Sequence, residues 1–441
     1  MPNPQYHENI KQGYSTWGVD PIITNFSVRP GGRLLLPRGY RKRLIELFRE
    51  HNEEFEIVDE RPNRPIHVKV PLKLRQYQER TLKALVLAGT EEGLIVAPAG
   101  SGKTVIGISL IGMFCQTTLW LTHTGQLASQ AAERITAFTD LAADEIGFIG
   151  EGQCKPGKRI TIGMVQTLIQ RPKLLNEISD SFGMVILDEA HHAPAKSFTD
   201  VLSMLNSRWL FGLTATPYRR DKLESLMFQA IGPPVATIQQ AEVEKEGGII
   251  IPKVFYRVID SPTINSNKLN TILNKYVLFN DKRTSIIVQD IVNEAGSNNF
   301  CIVISDRRNH CEMLYDRIKH HWPSTGIATG KYSRKQIGHQ VSLYLEKKIT
   351  VLVTTFALLG EGFDIPFMNR AFVTCPFRSE AKVEQLAGRI QRTHPEKKDA
   401  IIYDYVDHNI GVVRNQFYTG NPSKPCRYNA YRRLNMEVKR I

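Results

Sequence analysis

The stretch GLIVAPAGSGKTVIGISLIGMF, residues 93–114, decides the fold class. Its opening run GLIVA is short and apolar, which is typical of a strand buried on both faces, and its closing run TVIGISLIGMF indicates a buried helix. Between them lies the glycine-rich turn APAGSGKT, residues 97–104. A turn of this kind between a strand and a helix surrounds phosphate oxygens with backbone N–H groups. The stretch therefore predicts a parallel α/β fold with a phosphate-binding loop at the end of a strand.

Each residue type in this loop suits a nucleotide. Lys103 carries the charge that neutralises the β- and γ-phosphates, and Thr104 offers a hydroxyl to Mg²⁺. Gly102 stands where the backbone must approach phosphate closely. Ala97 replaces the glycine of the strict pattern, but that position ends the strand and needs no positive φ. We predict ATP contacts along the whole loop, from Pro98, Ala99, Gly100, Ser101, Gly102, Lys103 and Thr104.

Eight further apolar runs alternate with helical patterns, as in the βαβ units of a parallel sheet. Their predicted strands are residues 118–122, 159–163, 184–188, 209–214, 300–305, 349–355, 371–375 and 400–405. The polar segment QQAEVEKEGG, residues 239–248, separates the first four runs from the last four. The sequence thus predicts an α/β protein of two tandem lobes, residues 71–240 and 249–441, joined by a hinge at residues 241–248.

Residues 1–70 form a predicted α+β module with strands at 22–28, 33–36 and 55–58 and a helix at 39–51. Its stretch RPGGRLLLPRGYRKR, residues 29–43, carries a basic patch without an intervening acid: Arg29, Arg33, Arg38, Arg41, Lys42 and Arg43. The clustered charge favours binding to duplex or junction nucleic acid. A solvated basic face is the alternative for the same residues.

The charge balance indicates a polyanionic partner. Lys and Arg number 57 against 44 Asp and Glu, which gives a net charge of +13. A merely soluble basic enzyme has a similar balance, so the distribution of charge decides more than its sum. The tail at residues 411–441 adds basic residues interleaved with tyrosines, which indicate either nucleic-acid contacts or a helix packed on the second lobe.

Composition also bears on the compartment. No run of about 18 apolar residues predicts a membrane span. The 6 cysteines form no C-x-x-C pair that would predict zinc, and the amino terminus lacks the pattern of an export signal. We expect a protein of the reducing cytoplasm that has no membrane partner.

A second chemical signal follows the predicted strand at residues 184–188. The strand ends in Asp188-Glu189-Ala190-His191, so its carboxylates reach the carboxyl edge of the same sheet as the phosphate loop. Asp188 can hold hydrated Mg²⁺ while Glu189 orients and deprotonates the attacking water. An acidic strand end is often only a solvated turn, but the phosphate loop on the same sheet favours catalysis.

Taken in chain order, these motifs resemble those of superfamily 2 helicases of the DEAH-box type. Four further stretches carry the resemblance: LRQYQ (74–78), TATP (214–217), GEGFD (360–364) and QLAGRIQR (385–392). It implies two RecA-like lobes with ATP and Mg²⁺ held between them. It also implies that ATP hydrolysis is linked to the relative movement of the lobes.

The resemblance implies roles for individual residues. Further ATP-site residues would be Arg75 and Gln78, which read the adenine, and Gly362 and Asp364 in the second lobe. Residues that couple hydrolysis to movement would be His191, Thr214, Ala215, Thr216 and Gln385. Arg389 and Arg392, at i and i+3 on a common helix face, would be arginine fingers that stabilise the transition state. The alternative for both is a surface arginine paired with Glu384 or Glu396.

The nucleic-acid contacts implied by the resemblance depend on polar groups. In the first lobe they are His123, Thr124, Gln130, Gln166 and Thr167, and in the second lobe Ser305, Thr354 and Thr355. Thr124 departs from the arginine often seen after such a histidine. For each hydroxyl, a helix cap or a strand end is an alternative role.

The short basic module in front of these motifs is similar to helicases of the bacteriophage UvsW type and, more distantly, to the XPB and RadD motors. That similarity implies unwinding or branch migration of forked, Holliday-like or single-stranded DNA in recombination, repair or fork rescue. It also implies a monomer on DNA, in the host-cell cytoplasm if the source is a phage. RNA is less favoured, because only 36 residues follow Tyr405, too few for the helical carboxy-terminal domain of DEAH-type RNA helicases.

Three alternatives remain open from the sequence. The first is an RNA remodeller with the same motor, and the second is the motor subunit of a restriction system. The third is a nucleic-acid-binding scaffold with a vestigial ATP site. The set Lys103, Asp188, Glu189, Arg389 and Arg392 argues against the third, because a retired site needs none of them.

Overall fold

The computed structural model describes residues 2–441 except for five internal segments, residues 191–194, 216–223, 263–268, 361–364 and 422–423. The side chains of residues 195–198 and 360 are also outside the description. The chain divides into two compact units, Met1–Glu246 and Gly247–Ile441. No helix in the described part of the chain is long and apolar enough to cross a membrane.

The first unit contains strands of two sheets. They are β1 (Ser27–Arg29), β2 (Arg33–Leu35), β3 (Glu92–Val96), β4 (Thr118–Thr122), β5 (Ile146–Gly150), β6 (Gln153–Lys155), β7 (Ile160–Met164), β8 (Met184–Leu187), β9 (Trp209–Thr214) and β10 (Pro234–Thr237). Its helices are α1 (Pro4–Gln12), α2 (Arg41–Glu50), α3 (Gln76–Leu87), α4 (Lys103–Phe114), α5 (Gly125–Phe138), α6 (Val165–Gln170), α7 (Pro172–Glu177), α8 (Ala195–Met204), α9 (Glu224–Ile231) and α10 (Gln240–Lys245).

The main sheet of the first unit has the strand order β10-β3-β9-β8-β4-β7-β5-β6, and every pair is parallel except β5 with β6. Every residue of β4 and β8 is buried, as expected for central strands covered by helices on both faces. The five strands predicted for the first lobe are confirmed as β3, β4, β7, β8 and β9. All five are parallel, so their carboxyl ends meet at one edge.

The amino-terminal module is less regular than the sequence predicts. β1 and β2 pair with each other as an antiparallel hairpin, and a 3₁₀ turn at Arg38–Tyr40 leads into α2. The predicted strand at residues 22–28 shortens to β1, whose pairing with β2 ends at Ser27 opposite Leu35. Asn25, before β1, contacts α9, its Nδ2 donating to Gln229 Oε1 at 3.1 Å. The strand predicted at residues 55–58 is wrong: the segment is irregular and pairs with neither β1 nor β2.

The second unit has one parallel sheet of order β13-β14-β12-β15-β16-β11-β17. Its strands are β11 (Lys253–Ile259), β12 (Cys301–Ser305), β13 (Thr325–Ala328), β14 (Val351–Thr355), β15 (Arg370–Val373), β16 (Ile401–Asp407) and β17 (Val438–Arg440). Its helices are α11 (Leu269–Ile272), a π-helical turn (Leu273–Leu278), α12 (Asp281–Gly296), α13 (Arg308–His321), α14 (Arg334–Leu345), α15 (Phe356–Gly360), α16 (Glu380–Ile390), α17 (Gly411–Phe417) and α18 (Arg427–Arg433). The four strands predicted for the second lobe are confirmed as β12, β14, β15 and β16.

Much of the basic tail packs into the second unit. Arg427 is 1% exposed and forms a bidentate pair with Asp404, its Nε and Nη2 lying 2.8 and 2.9 Å from the carboxylate oxygens. Tyr431 is fully buried and donates its hydroxyl to the same carboxylate, and β17 extends the sheet beside β11. For these residues the packed alternative is the one observed.

Candidate active site

The carboxyl edge of the first-unit sheet brings the predicted ATP residues together. The strands β3, β9 and β8 are neighbours, and they lead in that order into the phosphate loop, into Ala215 after Thr214, and into Asp188-Glu189. Backbone hydrogen bonds fix their ends, because Ala97 N donates to Thr214 O at 2.9 Å. Likewise, Asp188 N donates to Leu121 O of β4 at 3.0 Å. Residues distant in sequence therefore meet on one edge.

The phosphate loop depends on two left-handed glycines. Gly100 has φ +81° and Gly102 has φ +79°, a region that L side chains rarely adopt. A Cβ on Gly102 would also lie 2.6 Å from the side-chain nitrogen of Gln78. Lys103 begins α4 directly after the loop, so the unpaired N–H groups and the positive end of the helix dipole face the loop. This geometry suits a phosphate.

The predicted adenine-reading residues contact the phosphate loop. Gln78 is 4% exposed, and its Nε2 donates to Ser101 O at 2.8 Å while its Oε1 accepts from Arg75 N at 3.0 Å. Tyr77 donates its hydroxyl to the same Ser101 carbonyl at 3.0 Å, and Arg75 Nη1 donates to Tyr77 at 3.2 Å. Both polar atoms of the Gln78 amide thus hold the start of α3 against the loop.

Asp188 and Glu189 lie beside the loop lysine. The Nζ of Lys103 is 3.5 Å from Oε1 of Glu189, and Glu189 has φ +50°, a strained conformation for a residue with a side chain. Asp188 is buried, and burial together with the charge of Glu189 raises its pKa to about 6, although Lys103 acts in the opposite direction. A buried carboxylate next to a half-buried one and a lysine is an arrangement expected of a catalytic site.

Sequence reasoning missed Arg134, which enters this site from α5. Its Nη1 donates to Thr104 Oγ1 at 3.3 Å, and its charge lowers the pKa of Asp188. Arg134 is the one basic residue of α5, but its spacing alone does not show which face of the helix meets the loop. Only the packing of α5 beside α4 shows that Arg134 lies on the face that meets the loop.

The chemistry of Thr104 and Asp188 fits Mg²⁺. A hydroxyl and a carboxylate are hard oxygen donors, and the raised pKa of Asp188 shows a buried acid whose negative charge is poorly compensated. Among the described residues no group of three or more His, Cys, Asp or Glu side chains could hold a metal ion. Magnesium here would therefore take most of its ligands from water and phosphate, as it commonly does at nucleotide sites.

Arg389 and Arg392 occupy different local structures in the second unit. Arg389 is in the last turn of α16, whereas α16 ends at Ile390 and Arg392 forms an antiparallel bridge with Ile249. The expectation of a common helix face is wrong for Arg392, because the chain has left the helix before reaching it. Gln385 is exposed on α16. The predicted residues His191, Thr216, Gly362 and Asp364 lie outside the described residues.

Residues 71–219, which include the phosphate loop and the Asp188-Glu189 pair, match the family model described as "Type III restriction enzyme, res subunit". The match covers about a third of the chain and agrees with the motifs at the carboxyl edge of the sheet. Over these residues the chain is similar to superfamily 2 helicases, as the sequence predicts.

Two relatives show which proteins this chain is similar to. A putative ATP-dependent RNA helicase of Acanthamoeba polyphaga mimivirus is 26% identical over 79% of this chain and 67% of its own. The ATP-dependent DNA helicase UvsW of Enterobacteria phage T4 is 24% identical over 70% of this chain. The match covers 64% of that relative's length, which is less than two thirds.

A solved structure shows the same fold. It is a fragment of a putative HsdR subunit of a type I restriction enzyme from Vibrio vulnificus, with a TM-score of 0.59 and 19% identity. The alignment covers 100% of this chain and 83% of that one. The likeness supports an architecture of two α/β lobes.

The nucleic-acid residues predicted in the first unit follow β4 and β7. His123 is 9% exposed at the end of β4, and Gln166 is exposed in α6. Thr124 is the N-cap of α5, its hydroxyl accepting from Leu127 N at 3.3 Å. Thr167 is half-buried in α6 and Gln130 is half-buried in α5. For Thr124 the alternative role as a helix cap is the one observed.

The hydroxyl residues predicted in the second unit are buried at adjacent strand ends. Ser305 of β12 lies in register with Thr355 of β14, which follows the fully buried Thr354. Ser305 Oγ is 2.9 Å from Nδ1 of His310, and burial lowers the pKa of that imidazole to about 3. The structure brings these residues together, but beneath the surface.

The basic patch contains residues with different partners. Arg38 is anchored at the opposite edge of the first-unit sheet, its Nε donating to Glu92 at 2.8 Å and its Nη atoms to the carbonyls of Ser207 and Arg208. The remaining ion pairs of the patch join Arg41 to Glu91, and Arg43 to Glu46 and Glu50. Arg29, Arg33 and Lys42 are exposed and have no ion-pair partner among the residues that the structure describes.

Proposed function

We propose that this protein is an ATP-dependent DNA helicase or translocase that unwinds or branch-migrates forked and Holliday-like DNA. The observation that supports it most directly is the meeting of Lys103, Glu189 and the buried Asp188 at one sheet edge, next to a loop shaped for phosphates. The UvsW relative is named as an ATP-dependent DNA helicase, and the net charge of +13 favours a polyanionic partner.

The chain's own residues supply most of the chemistry. Lys103 and the N–H groups at the start of α4 bind the terminal phosphates. When Lys103 binds phosphate, its ion pair with Glu189 breaks. Glu189, released from the lysine, accepts a proton from the attacking water. Asp188 and Thr104 would hold Mg²⁺, whose positive charge would stabilise the negative charge that develops on the phosphate during hydrolysis.

Arg389 and Arg392 are proposed to stabilise the transition state of hydrolysis. A guanidinium presented to the γ-phosphate only at that stage raises the rate of hydrolysis and leaves ground-state binding unchanged. Arg389→Ala should therefore abolish most nucleic-acid-stimulated ATP turnover and retain ATP affinity. Arg378→Ala, a change at another arginine of the same unit, serves as the control. Unchanged turnover in Arg389→Ala would remove this role.

The decisive experiment measures ATP hydrolysis and strand separation on a panel of fork, Holliday, flap and single-stranded DNAs at one stated salt concentration. Salt is fixed because binding through several phosphates weakens steeply with ionic strength. We expect ATP turnover to rise with DNA and junctions to be processed. A purified chain that hydrolyses no ATP with any nucleic acid would contradict the proposal.

An RNA remodeller is the second candidate, because the mimivirus relative is named as a putative RNA helicase. DNA and RNA strands of one sequence, compared as stimulators of ATP hydrolysis, separate the two. We expect the larger stimulation from DNA.

For the native setting we propose a monomer on DNA in the cytoplasm, that of the host cell if the source is a phage. Sedimentation with and without DNA tests the monomer.

A further inference from the structure

The turn after α16 contains three consecutive carbonyl groups with donors from elsewhere in the chain. The last carbonyls of any α-helix lack partners within the helix. Here the ammonium of Lys397 donates to Ile390 O and, at 3.0 Å, to Arg392 O. The backbone N–H of Ile250 donates to the carbonyl between them, that of Gln391, at 2.8 Å.

Lys397 is an unusual residue for this position. It is 7% exposed, and it forms no ion pair with a carboxylate among the described residues. A tight turn holds it in place, since its backbone N–H donates to His394 O at 2.9 Å with Pro395 next in the turn. Burying an ammonium against carbonyl groups alone is costly, although the negative end of the helix dipole favours the charge.

Burial is the largest cause of the lowered pKa of Lys397, and its charged neighbours modify it. Burial lowers its pKa to about 7, and the positive charges of Arg370 and Arg392 act in the same direction. Asp399 opposes them. A neutral amine still donates hydrogen bonds, so the contacts with the two carbonyls do not require the charge.

Arg392 depends on this turn because it lies beyond the end of α16. Its backbone is fixed by the hydrogen bond from Lys397 and by the antiparallel bridge to Ile249. Ile249 and Ile250 come immediately after the boundary between the two units, which falls between Glu246 and Gly247. The turn that carries Arg392 is thus tied to the first residues of the second unit.

We propose that Lys397 is a positioning residue for Arg392: it caps the end of α16 and fixes the turn from which the arginine side chain extends. The inference rests on the proposed function, in which Arg392 stabilises the transition state of ATP hydrolysis. A displaced arginine lowers the rate of the chemical step more than it lowers affinity for ATP, because the contact is made in the transition state.

The test begins with Lys397→Met, which keeps the apolar stem and removes the donor. We expect the kcat of DNA-stimulated ATP hydrolysis to fall roughly ten- to hundredfold, with the KM for ATP changed less than about threefold. Lys398→Met, an exposed neighbour, is the matched control and should behave as wild type. Thermal unfolding of each variant checks that the fold is intact. If Lys397→Met does not fold, Lys397→Gln, which retains a donor, is measured instead and should lower kcat less than Arg392→Ala does, whereas a wild-type kcat would overturn the inference.

A double-mutant cycle with Arg392→Ala distinguishes positioning from a general structural role. If Lys397 acts through Arg392, Lys397→Met should cause no further loss of kcat in the Arg392→Ala background. An equal loss in both backgrounds, or a folded Lys397→Met protein with wild-type kcat, would overturn the inference. If Arg392→Ala itself leaves hydrolysis unchanged, the failure belongs to the proposed function of the arginine instead.

Discussion

The ammonium of Lys103 lies 3.5 Å from the carboxylate of Glu189, so the phosphate-loop lysine is paired with the residue proposed to activate water. Each group restrains the other in the absence of nucleotide. In the proposed mechanism, a γ-phosphate competes for the lysine and leaves the carboxylate available to accept a proton. One ion pair would then link substrate binding to general-base activation.

Glu189→Gln should separate ATP binding from hydrolysis. The amide removes the negative charge that competes for Lys103, and it cannot accept a proton at neutral pH. We expect ATP affinity to be retained or increased, and turnover to fall by roughly two or more orders of magnitude. Fluorescent-nucleotide binding and phosphate release measure the two effects. Glu177→Gln, at an exposed position in α7, is the control, and equal turnover in both variants would argue against a catalytic role.

Asp188→Asn should make the nucleotide-free protein more stable at alkaline pH. The pKa of Asp188 rises from 3.8 to about 6 on folding, so the ionised carboxylate destabilises the folded state fully above pH 6 and not at all below 3.8. The amide removes that penalty, which is roughly 1–3 kcal/mol at pH 8. Denaturant unfolding at pH 8 and at pH 5 measures it, and the gain should be smaller at pH 5. A variant less stable than wild type at pH 8 would contradict this account.

ATP hydrolysis should decline as the pH falls toward 6 for the same reason. A protonated Asp188 is neutral and loses its attraction for Mg²⁺, whereas the ionised form predominates above its pKa of about 6. Turnover measured across pH 5 to 8 at saturating Mg²⁺ and ATP should show an acidic limb. Because bound cation lowers the pKa of a carboxylate ligand, raising the Mg²⁺ concentration should shift that limb to lower pH. An acidic limb whose position does not change with Mg²⁺ concentration would show that a titratable group other than Asp188 causes it.

Gly102→Ala should weaken ATP binding by about tenfold or more. The position has φ +79°, and a Cβ there would lie 2.6 Å from the Gln78 amide that holds the loop. Gly152→Ala is the matched control, because Gly152 has φ +85° with nothing within 4 Å of an added Cβ. The control should lose some thermal stability and keep its ATP affinity. Equal ATP affinity in both variants would show that the contact with Gln78 does not matter.

Substitutions at Arg38 and Lys42 should have different effects: the first should lower stability and the second should weaken nucleic-acid binding. Arg38→Ala leaves Glu92 and two carbonyls without their donor, which should cost roughly 2–4 kcal/mol of unfolding free energy. Lys42→Ala, at an exposed position, should change stability by less than about 0.5 kcal/mol. It should instead weaken DNA binding and reduce by about one the number of counterions released on binding, as measured from the salt dependence of affinity. DNA affinity that is independent of Lys42 would remove it from the proposed interface.

Much of the first-unit site was predictable because its signals are local. The phosphate loop needs two positive-φ glycines followed by a lysine at the start of a helix. Gly100, Gly102 and Lys103 supply these within four residues of sequence. The strand before Asp188 is short and wholly apolar, so its buried parallel character can be read from residues 184–187 alone.

Other features could not be predicted because they depend on contacts between distant segments. Arg38 looks like its neighbours in the basic patch, yet it is committed to Glu92 of β3. The strand expected at residues 55–58 has a suitable composition, but the segment pairs with no strand, and pairing depends on contacts that composition does not show. Lys397 carries no motif, and its role appears only where the turn meets Arg392 and Ile250.

The amino-acid sequence by itself determined the parallel α/β class and the phosphate loop, since hydrophobic period and glycine placement are set by neighbouring residues. Tertiary structure alone decided which arginines are anchored and which are exposed, where α16 ends before Arg392, and that Arg134 enters the nucleotide site. The physical reason is that a long cationic side chain finds its partner through packing, and sequence separation does not encode the distance between the two.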